Sequence, residues 1–161
     1  MLNFLPPTAK VFIFQADKFL TDSDKAIIEK EMNQFLPQWA THGSKLIAAF
    51  EIVNDLFIVV GADESKVETS GCSKDSLNHI IQKIGNTINI DFFNRLNTAY
   101  QTVNNDIKLI DLAEFKAKMK TDEIKLHTKV FNNLIETKAD LESNWLVEVK
   151  NSWHKNLIAI V

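Results

Sequence analysis

A buried strand that leads into an amphipathic helix is the feature that most constrains how this chain folds. Residues 56–60 are five consecutive apolar residues, a run typical of a strand covered on both faces. The acidic pair Asp63-Glu64 follows, and a polar loop leads to a helix predicted over residues 73–84. One face of that helix is apolar, with Leu77, Ile80, Ile81 and Ile84 at helical spacing. The stretch predicts a helix packed on a sheet, with the single cysteine, Cys72, beside the helix start.

The elements around this stretch follow a regular order. In chain order the sequence predicts a strand at 11–14, a helix from Thr21 to near Pro37, strands at 45–53 and 56–61, a helix at 73–84, a hairpin of 98–103 with 107–110, and a helix at 112–120. Asn54-Asp55 alone joins two of these strands, and both residues tolerate the positive φ of a tight hairpin. The order predicts a ferredoxin-like βαββαβ sandwich, an α+β fold with two helices on one face of an antiparallel sheet.

Residues 121–161 are predicted to form a C-terminal α/β extension packed on that core. A short strand is expected at 130–133 and a short helix at 138–145. The last five residues, 157–161, are apolar and uncharged, so we expect them to be tucked into the fold, paired as an edge strand or used as an interaction surface. No linker rich in Gly, Pro or Ser interrupts the chain. We therefore expect a single domain with its core in residues 1–120.

Charge and cysteine content indicate which classes of partner and which cellular compartment suit this chain. The net charge is −3, and a lysine cluster around residues 116–129 is interspersed with acids, which indicates a solvated helix face rather than a nucleic-acid surface. No run of about 18 apolar residues occurs, so no membrane span is expected. The N-terminus lacks the basic and apolar regions of a signal peptide, and a single cysteine fits a reducing compartment. These features predict a cytoplasmic protein.

Cys72 is the first candidate for chemistry. A thiol beside a helix start lies near unpaired backbone N–H groups and the positive end of the helix dipole, which favour the thiolate. His42 is the candidate base, because His79 lies seven residues further along the same helix, about 10 Å away. The alternative is a small packing cysteine at a helix cap, which is the usual role of a free cysteine.

Polar residues near the same helix start are candidates for ligand binding. Serine hydroxyls and a glycine at a helix start suit an anion, and two acids just past a strand suit a cation or acid–base work. Adjacent residues of a strand point to opposite faces, so a solvated loop is the alternative for the two acids. An arginine accompanied by aromatic residues suits a pocket. The candidate ligand-binding residues are Asp63, Glu64, Ser70, Gly71, Ser73, Asp75 and Arg95.

Motifs that would identify a cofactor or an enzyme class are absent from the sequence. The four glycines form neither GxxxxGK[ST] nor GxGxxG, which argues against P-loop ATPases and Rossmann dinucleotide binding. A GxSxG elbow is also absent. The four histidines are scattered, and a lone cysteine cannot build a thiolate cage. We therefore expect neither a metal nor a cofactor.

Several short segments carry a resemblance to a known family. They are Trp39 with 41–43, Asp63-Glu64, 70–75, 91–95, 130–134, Thr137-Lys138 and 152–154. On these segments nearly the whole chain resembles an uncharacterised family of short bacterial proteins of about this length, often labelled "ABC transporter ATPase". The label implies ATP hydrolysis that powers transport, whereas this sequence has no Walker A motif. The resemblance implies no established catalytic residues.

Three functions are consistent with these residues. The sequence favours a small ligand- or partner-binding module with its site near the helix start at 70–75. The alternative is a cysteine-dependent enzyme of acyl-transfer or thiol-redox chemistry, with Cys72 as nucleophile and His42 as base. Asp63 or Glu64 would orient that base. A homo-oligomer that forms through a sheet edge or through the apolar tail is the third.

Overall fold

A computed structural model describes residues 2–157 and shows two compact units. The N-terminal unit comprises residues 2–94 together with Glu136–Ala139, and the rest of the described chain forms the C-terminal unit. Both units combine helices with antiparallel strands, which confirms an α+β protein. The predicted organisation, one domain with its core in residues 1–120 and an extension from residue 121, stays a prediction. Residues 158–161, most of the predicted apolar tail, lie outside the described residues.

The predicted helices and strands have counterparts in the structure, with ends that differ by a few residues. The elements are β1 (Lys10–Gln15), α1 (Asp22–Phe35), β2 (Ala40–Thr41), β3 (Ser44–Lys45), β4 (Ile47–Val53), β5 (Phe57–Asp63), α2 (Gly71–Ile88), β6 (Asn97–Gln101), β7 (Ile107–Asp111), α3 (Leu112–Lys120), β8 (Lys129–Phe131), α4 (Lys138–Ser143) and β9 (Leu146–Glu148). α2 is longer than predicted at both ends. Ser70 caps its start, and Asn89 ends it in the left-handed conformation, with φ 55°.

The antiparallel sheet of the N-terminal unit has the order β1-β5-β4. β5 lies in the centre with its first six residues buried, as its continuous apolar run predicted. The predicted hairpin joins β4 to β5, and Asn54 and Asp55 both have positive φ, 55° and 50°. α1 and α2 pack against each other and bury their apolar stripes, Ile28 and Met32 on α1 and Leu77, Ile81 and Ile84 on α2.

The fourth strand that was expected to complete this sheet lies elsewhere. β6 pairs with β7 and β8 in the separate sheet of the C-terminal unit, which has the order β7-β6-β8-β9. β7 and β8 occupy the two edges of β6, and both lie closer to β6 along the chain than β1 does, so these pairings cost less loop-closure entropy. Residues 136–138 lie along the outer edge of β1, where the fourth strand was expected. The backbone N–H of Val11 donates to the Glu136 carbonyl, and that of Lys138 donates to the Ala9 carbonyl, both at 2.9 Å.

The C-terminal unit has its own small hydrophobic core. Phe115 of α3 is buried there with Ile124, Val130 and Val149. The lysine cluster on α3 is solvated, as predicted: the Lys118 ammonium pairs with the Glu123 carboxylate at 2.8 Å on the surface. No helix within residues 2–157 is both long enough and apolar enough to cross a membrane.

Candidate functional site

Short-range hydrogen bonds build the start of α2. The Ser70 hydroxyl oxygen accepts from the Ser73 N–H at 3.1 Å, which satisfies one of the helix's unpaired donors. The Ser73 hydroxyl donates back to the Ser70 carbonyl at 2.9 Å, and the Ser76 hydroxyl donates to the Ser73 carbonyl at 2.8 Å. The serines that were predicted to bind an anion are therefore engaged within the first two turns of the helix.

Two residues from outside the helix anchor this start. The indole N–H of Trp39 donates to the Ser73 carbonyl at 2.8 Å, and the bond is buried. The Ser70 N–H donates to the Thr41 hydroxyl at 3.2 Å. Thr41 belongs to the short β2–β3 hairpin, so this hairpin lies beside the start of α2.

Cys72 and His42 are both exposed near this anchor. Cys72 is the second residue of the 18-residue helix α2, where backbone N–H groups have no helical partner. His42 follows Thr41 in the β2–β3 turn with φ 49°. Within the described chain no hydrogen bond joins the two side chains. The predicted nucleophile is accessible, whereas a contact with the predicted base is not seen.

The adjacent acids Asp63 and Glu64 shape the loop that precedes α2. Asp63 accepts from the Ser65 N–H at 2.9 Å, and the Ser65 hydrogen bonds and the nearby Lys66 hold the pKa of the Asp63 carboxyl below its ordinary value. The Glu64 carboxylate accepts from both the N–H and the hydroxyl of Thr69. The two acids therefore have separate partners within one loop.

The remaining predicted residues lie in different surroundings. Gly71 is exposed, and a Cβ added there would have no atom within 4 Å. Asp75 is exposed on α2. Arg95 is exposed and belongs to the C-terminal unit. The structure thus brings residues 70–75 together at one helix start and places Arg95 in the other unit.

A groove that the sequence analysis did not predict runs along α2 in the N-terminal unit, with a volume of about 810 Å³. We call it the acidic groove. Its charged and aromatic residues are Asp17, Asp75, His79, Asp91, Phe92 and Phe93. Side-chain amides of α2 and Asn89 supply hydrogen-bonding groups, and neither a lysine nor an arginine lines the groove. The groove therefore carries negative charge without a cationic partner in its lining.

Hydrogen bonds stabilise the end of the groove, where the segments around Asp17 and Asp91 meet. Asp17 and Asp91 exchange two hydrogen bonds: the Asp91 N–H donates to the Asp17 carboxylate at 3.0 Å, and the Asp17 N–H donates to the Asp91 carbonyl at 3.1 Å. The Ile90 N–H donates to the Gly85 carbonyl at 2.9 Å. A Cβ on Gly85 would collide with the Ile90 carbonyl oxygen, so a glycine lets the chain fold back against α2.

A signal for the acidic groove is present in the sequence. Asn78, Gln82 and Asn86 recur every four residues, which places three amides on one face of a helix. The apolar stripe that predicted α2 lies on another face of the helix. The carboxylates of Asp17 and Asp91 join this face only through the tertiary fold.

Within residues 2–157 no group of three or more His, Cys, Asp and Glu side chains is arranged to hold a metal ion. Comparison with protein-family models, with curated proteins and with solved structures finds no match to this chain.

Proposed function

We propose that this protein is a small ligand-binding α+β module and that its ligand lies in the acidic groove. The groove has a volume of about 810 Å³, which falls within the range of about 300–1,000 Å³ usual for small-molecule sites. It combines an aromatic side, polar side chains and three carboxylates. Asp75 connects it with the helix start at 70–75, where the sequence favours a site.

The lining favours a ligand that carries positive charge and hydrogen-bond donors. Three aspartates contribute negative charge, and no lining lysine or arginine neutralises them. An amine or guanidinium group would supply the missing charge, and the amides of α2 would accept or donate further hydrogen bonds. The same negative charge disfavours nucleic acid as a partner.

Amine probes test this proposal. Putrescine, spermidine and arginine methyl ester are titrated into isotopically labelled protein, with glucose and glutamate as neutral and anionic comparisons. We expect the amines to shift the backbone resonances of residues 75–93 and binding to weaken as the ionic strength rises, because salt screens exposed charges. Shifts caused equally by glutamate, or amine shifts outside the groove, would contradict the proposal.

A matched pair of variants assigns the binding to the groove. The Asp75 side chain is exposed and makes no hydrogen bond within residues 2–157, so Asp75→Asn removes a charge without breaking a side-chain contact. We expect amine affinity to fall by up to about fivefold, the effect of one exposed charge pair. Asp106→Asn makes the same change at an exposed turn of the C-terminal unit and should leave affinity unchanged.

We also propose that the N-terminal unit follows the ferredoxin-like plan with an unusual fourth strand. Its order β1-β5-β4 corresponds to strands 1, 3 and 2 of that plan. Residues 136–138, hydrogen-bonded to the outer edge of β1, would take the place of strand 4. Membership of the family named above and a cytoplasmic location are proposals as well, carried by the quoted segments and by the single cysteine.

Thiol chemistry at Cys72 is the second candidate function. It is favoured by one observation, the exposure of the thiol in the first turn of a long helix. A panel of thioesters and disulfides would reveal turnover by the wild-type chain that Cys72→Ser abolishes. Turnover that is equal in both chains would exclude this candidate.

A further inference from the structure

β4 forms an open edge of the N-terminal sheet. β5 pairs with one side of Ile47–Val53 along the whole strand, and no strand within residues 2–157 pairs with the other side. The outer side of an edge strand presents a row of backbone N–H and C=O groups. Such a row extends a sheet into another chain unless the sequence prevents it.

The sequence of β4 lacks most of the features that usually protect an edge. Natural edges carry lysines, prolines, bulges or inward charges, whereas β4 reads IAAFEIV. Its pairing with β5 runs without a bulge from Ile47 to Val53. Its single charged residue is Glu51, whose carboxylate accepts a hydrogen bond from the Leu2 N–H of its own chain. Apart from Glu51, the edge is therefore straight and apolar.

An apolar groove of about 450 Å³ accompanies this edge. Apart from Asn33 its lining residues are apolar, and they include Phe4, Pro37 and Phe50. Phe4 is 70% exposed and Ile47 is 44% exposed. Exposed apolar side chains beside an open strand indicate a surface that becomes covered by another chain.

We propose that β4 pairs antiparallel with β4 of a second copy of this chain, across a two-fold axis at Phe50. The two three-stranded sheets would then form one continuous sheet. Closed two-fold contacts are the commonest oligomeric arrangement, because one surface serves both copies. The two apolar grooves would lie on either side of the new strand pair, so a single association covers both.

Side-chain pairing selects this register. A two-fold axis perpendicular to the sheet keeps each side chain on its own face of the sheet. Residues that lie directly opposite each other in an antiparallel pair also share a face, so the axis must pass midway between the two copies of one residue. At Phe50 the whole of Ile47–Val53 pairs, and Glu51 lies opposite Ala49 of the partner. An axis at Glu51 would place two carboxylates directly opposite each other, which is destabilising. An axis at Ala49 would shorten the ladder.

The composition of β4 also favours a second copy over a different protein. In the Phe50 register the pairs are Ile47–Val53, Ala48–Ile52, Ala49–Glu51 and Phe50–Phe50. None of these pairs opposes like charges. Glu51, the one charge on the strand, already accepts a hydrogen bond from the Leu2 N–H of its own chain, so the strand needs no complementary charge from a different protein. A strand pair of this length buries less area than the roughly 1,600 Å² of a standard interface, so we expect a dimer that dissociates on dilution.

Cross-linking between single-cysteine variants tests the register on a Cys72→Ser background. Ala48 lies opposite Ile52 of the partner, so a mixture of Ala48→Cys and Ile52→Cys should give disulfide-linked dimers that contain one of each. Neighbouring pairs of an antiparallel ladder alternate between hydrogen-bonded and non-hydrogen-bonded pairs, which differ in Cα separation. A mixture of Ile47→Cys and Val53→Cys therefore tests the other type of pair, so that one of the two mixtures has a separation that suits a disulfide. Ala48→Cys alone should not cross-link, because its two copies would be about 13 Å apart.

Light scattering measures the association itself. We expect the molar mass to rise towards that of a dimer with concentration, and Ile47→Lys to weaken association at least tenfold. Val103→Lys introduces the same side chain at a residue that is 99% exposed in the other unit and should change nothing. Circular dichroism verifies that both variants fold.

Three results would overturn the proposal. If the protein is a monomer at every concentration and neither mixture cross-links, the edge is left to a different partner. If Ala48→Cys cross-links with itself more than in the mixture, the strands pair in another register. If truncation after Lys155 abolishes the dimer, association belongs to the C-terminal residues.

Discussion

The buried indole N–H of Trp39 donates to the carbonyl oxygen of Ser73 at 2.8 Å and joins two residues that lie 34 positions apart. Trp39 follows the 3-10 turn after α1, and Ser73 lies in the first turn of α2. The Trp39 ring also contacts the rings of Phe12 and Phe35. The helix start that carries Cys72 is thus attached to the core by a large aromatic side chain.

Trp39→Phe should lower the free energy of unfolding by about 2 kcal/mol. The substitution removes one buried hydrogen bond, worth about 1 kcal/mol, and leaves part of the indole volume empty. Urea-induced unfolding followed by far-ultraviolet circular dichroism measures the change. Trp153→Phe makes the same replacement at a residue that is 36% exposed and should cost less than about 0.5 kcal/mol. Equal losses of unfolding free energy in both variants would contradict a stabilising role for the hydrogen bond to Ser73.

Gly85→Ala should destabilise the protein by about 2 kcal/mol. The new Cβ would collide with the Ile90 carbonyl, a backbone atom that cannot move away as a flexible side chain can. This cost exceeds the gain of up to about 1 kcal/mol that alanine usually brings within a helix.

Gly71→Ala is the matched control for that substitution. A Cβ at Gly71 meets nothing within 4 Å, so the variant should be as stable as the wild type or slightly more stable. Thermal unfolding of the two variants compares them directly. A Gly85→Ala protein as stable as the Gly71→Ala protein would rule out the predicted clash.

The buried imidazole of His154 should make stability depend on pH. Burial lowers its pKa from 6.5 to about 4, so the folded chain favours the neutral ring. The stabilisation is fully present above pH 6.5, declines as the pH falls towards 4, and levels off below that. At about 1.4 kcal/mol per pKa unit, the total loss is about 3 kcal/mol.

His154→Phe separates this titration from those of the carboxylates. The difference in unfolding free energy between wild type and variant should fall by about 3 kcal/mol between pH 7 and pH 4. The titration of the His154 ring resonances should also give a midpoint near pH 4. Parallel stability curves, or a midpoint above pH 6, would contradict the effect of burial.

Cys72 should react with iodoacetamide in the folded protein without denaturant. The thiol is exposed, so the folded rate should lie within about tenfold of the rate in urea. Mass spectrometry counts the added groups, and Cys72→Ser provides the blank. Because the side chain is exposed, Cys72→Ser should change stability by less than about 0.5 kcal/mol. A thiol that reacts only after unfolding would contradict the exposed position.

Several parts of the fold followed from local chemistry alone. The start of α1 next to Thr21, the Asn54-Asp55 hairpin and the bounds of α3 correspond to their sequence signals. Each depends on residues within a few positions of one another, where steric preference and capping decide the outcome. The burial of β5 likewise follows from its continuous apolar run.

Beyond the two predicted hairpins, only the tertiary structure decided which strands share a sheet and where a binding groove forms. The hairpin of β6 with β7 was predicted from the sequence, but the other edge of β6 pairs with β8 and not with β1, and no local signal distinguishes these two partners. Asp17 and Asp91 meet only because the chain folds back after Gly85. The sequence by itself determined the elements and their buried faces, since these arise from neighbouring residues. Long-range packing decided the sheet partners and the acidic groove, since both require residues far apart in the chain to meet.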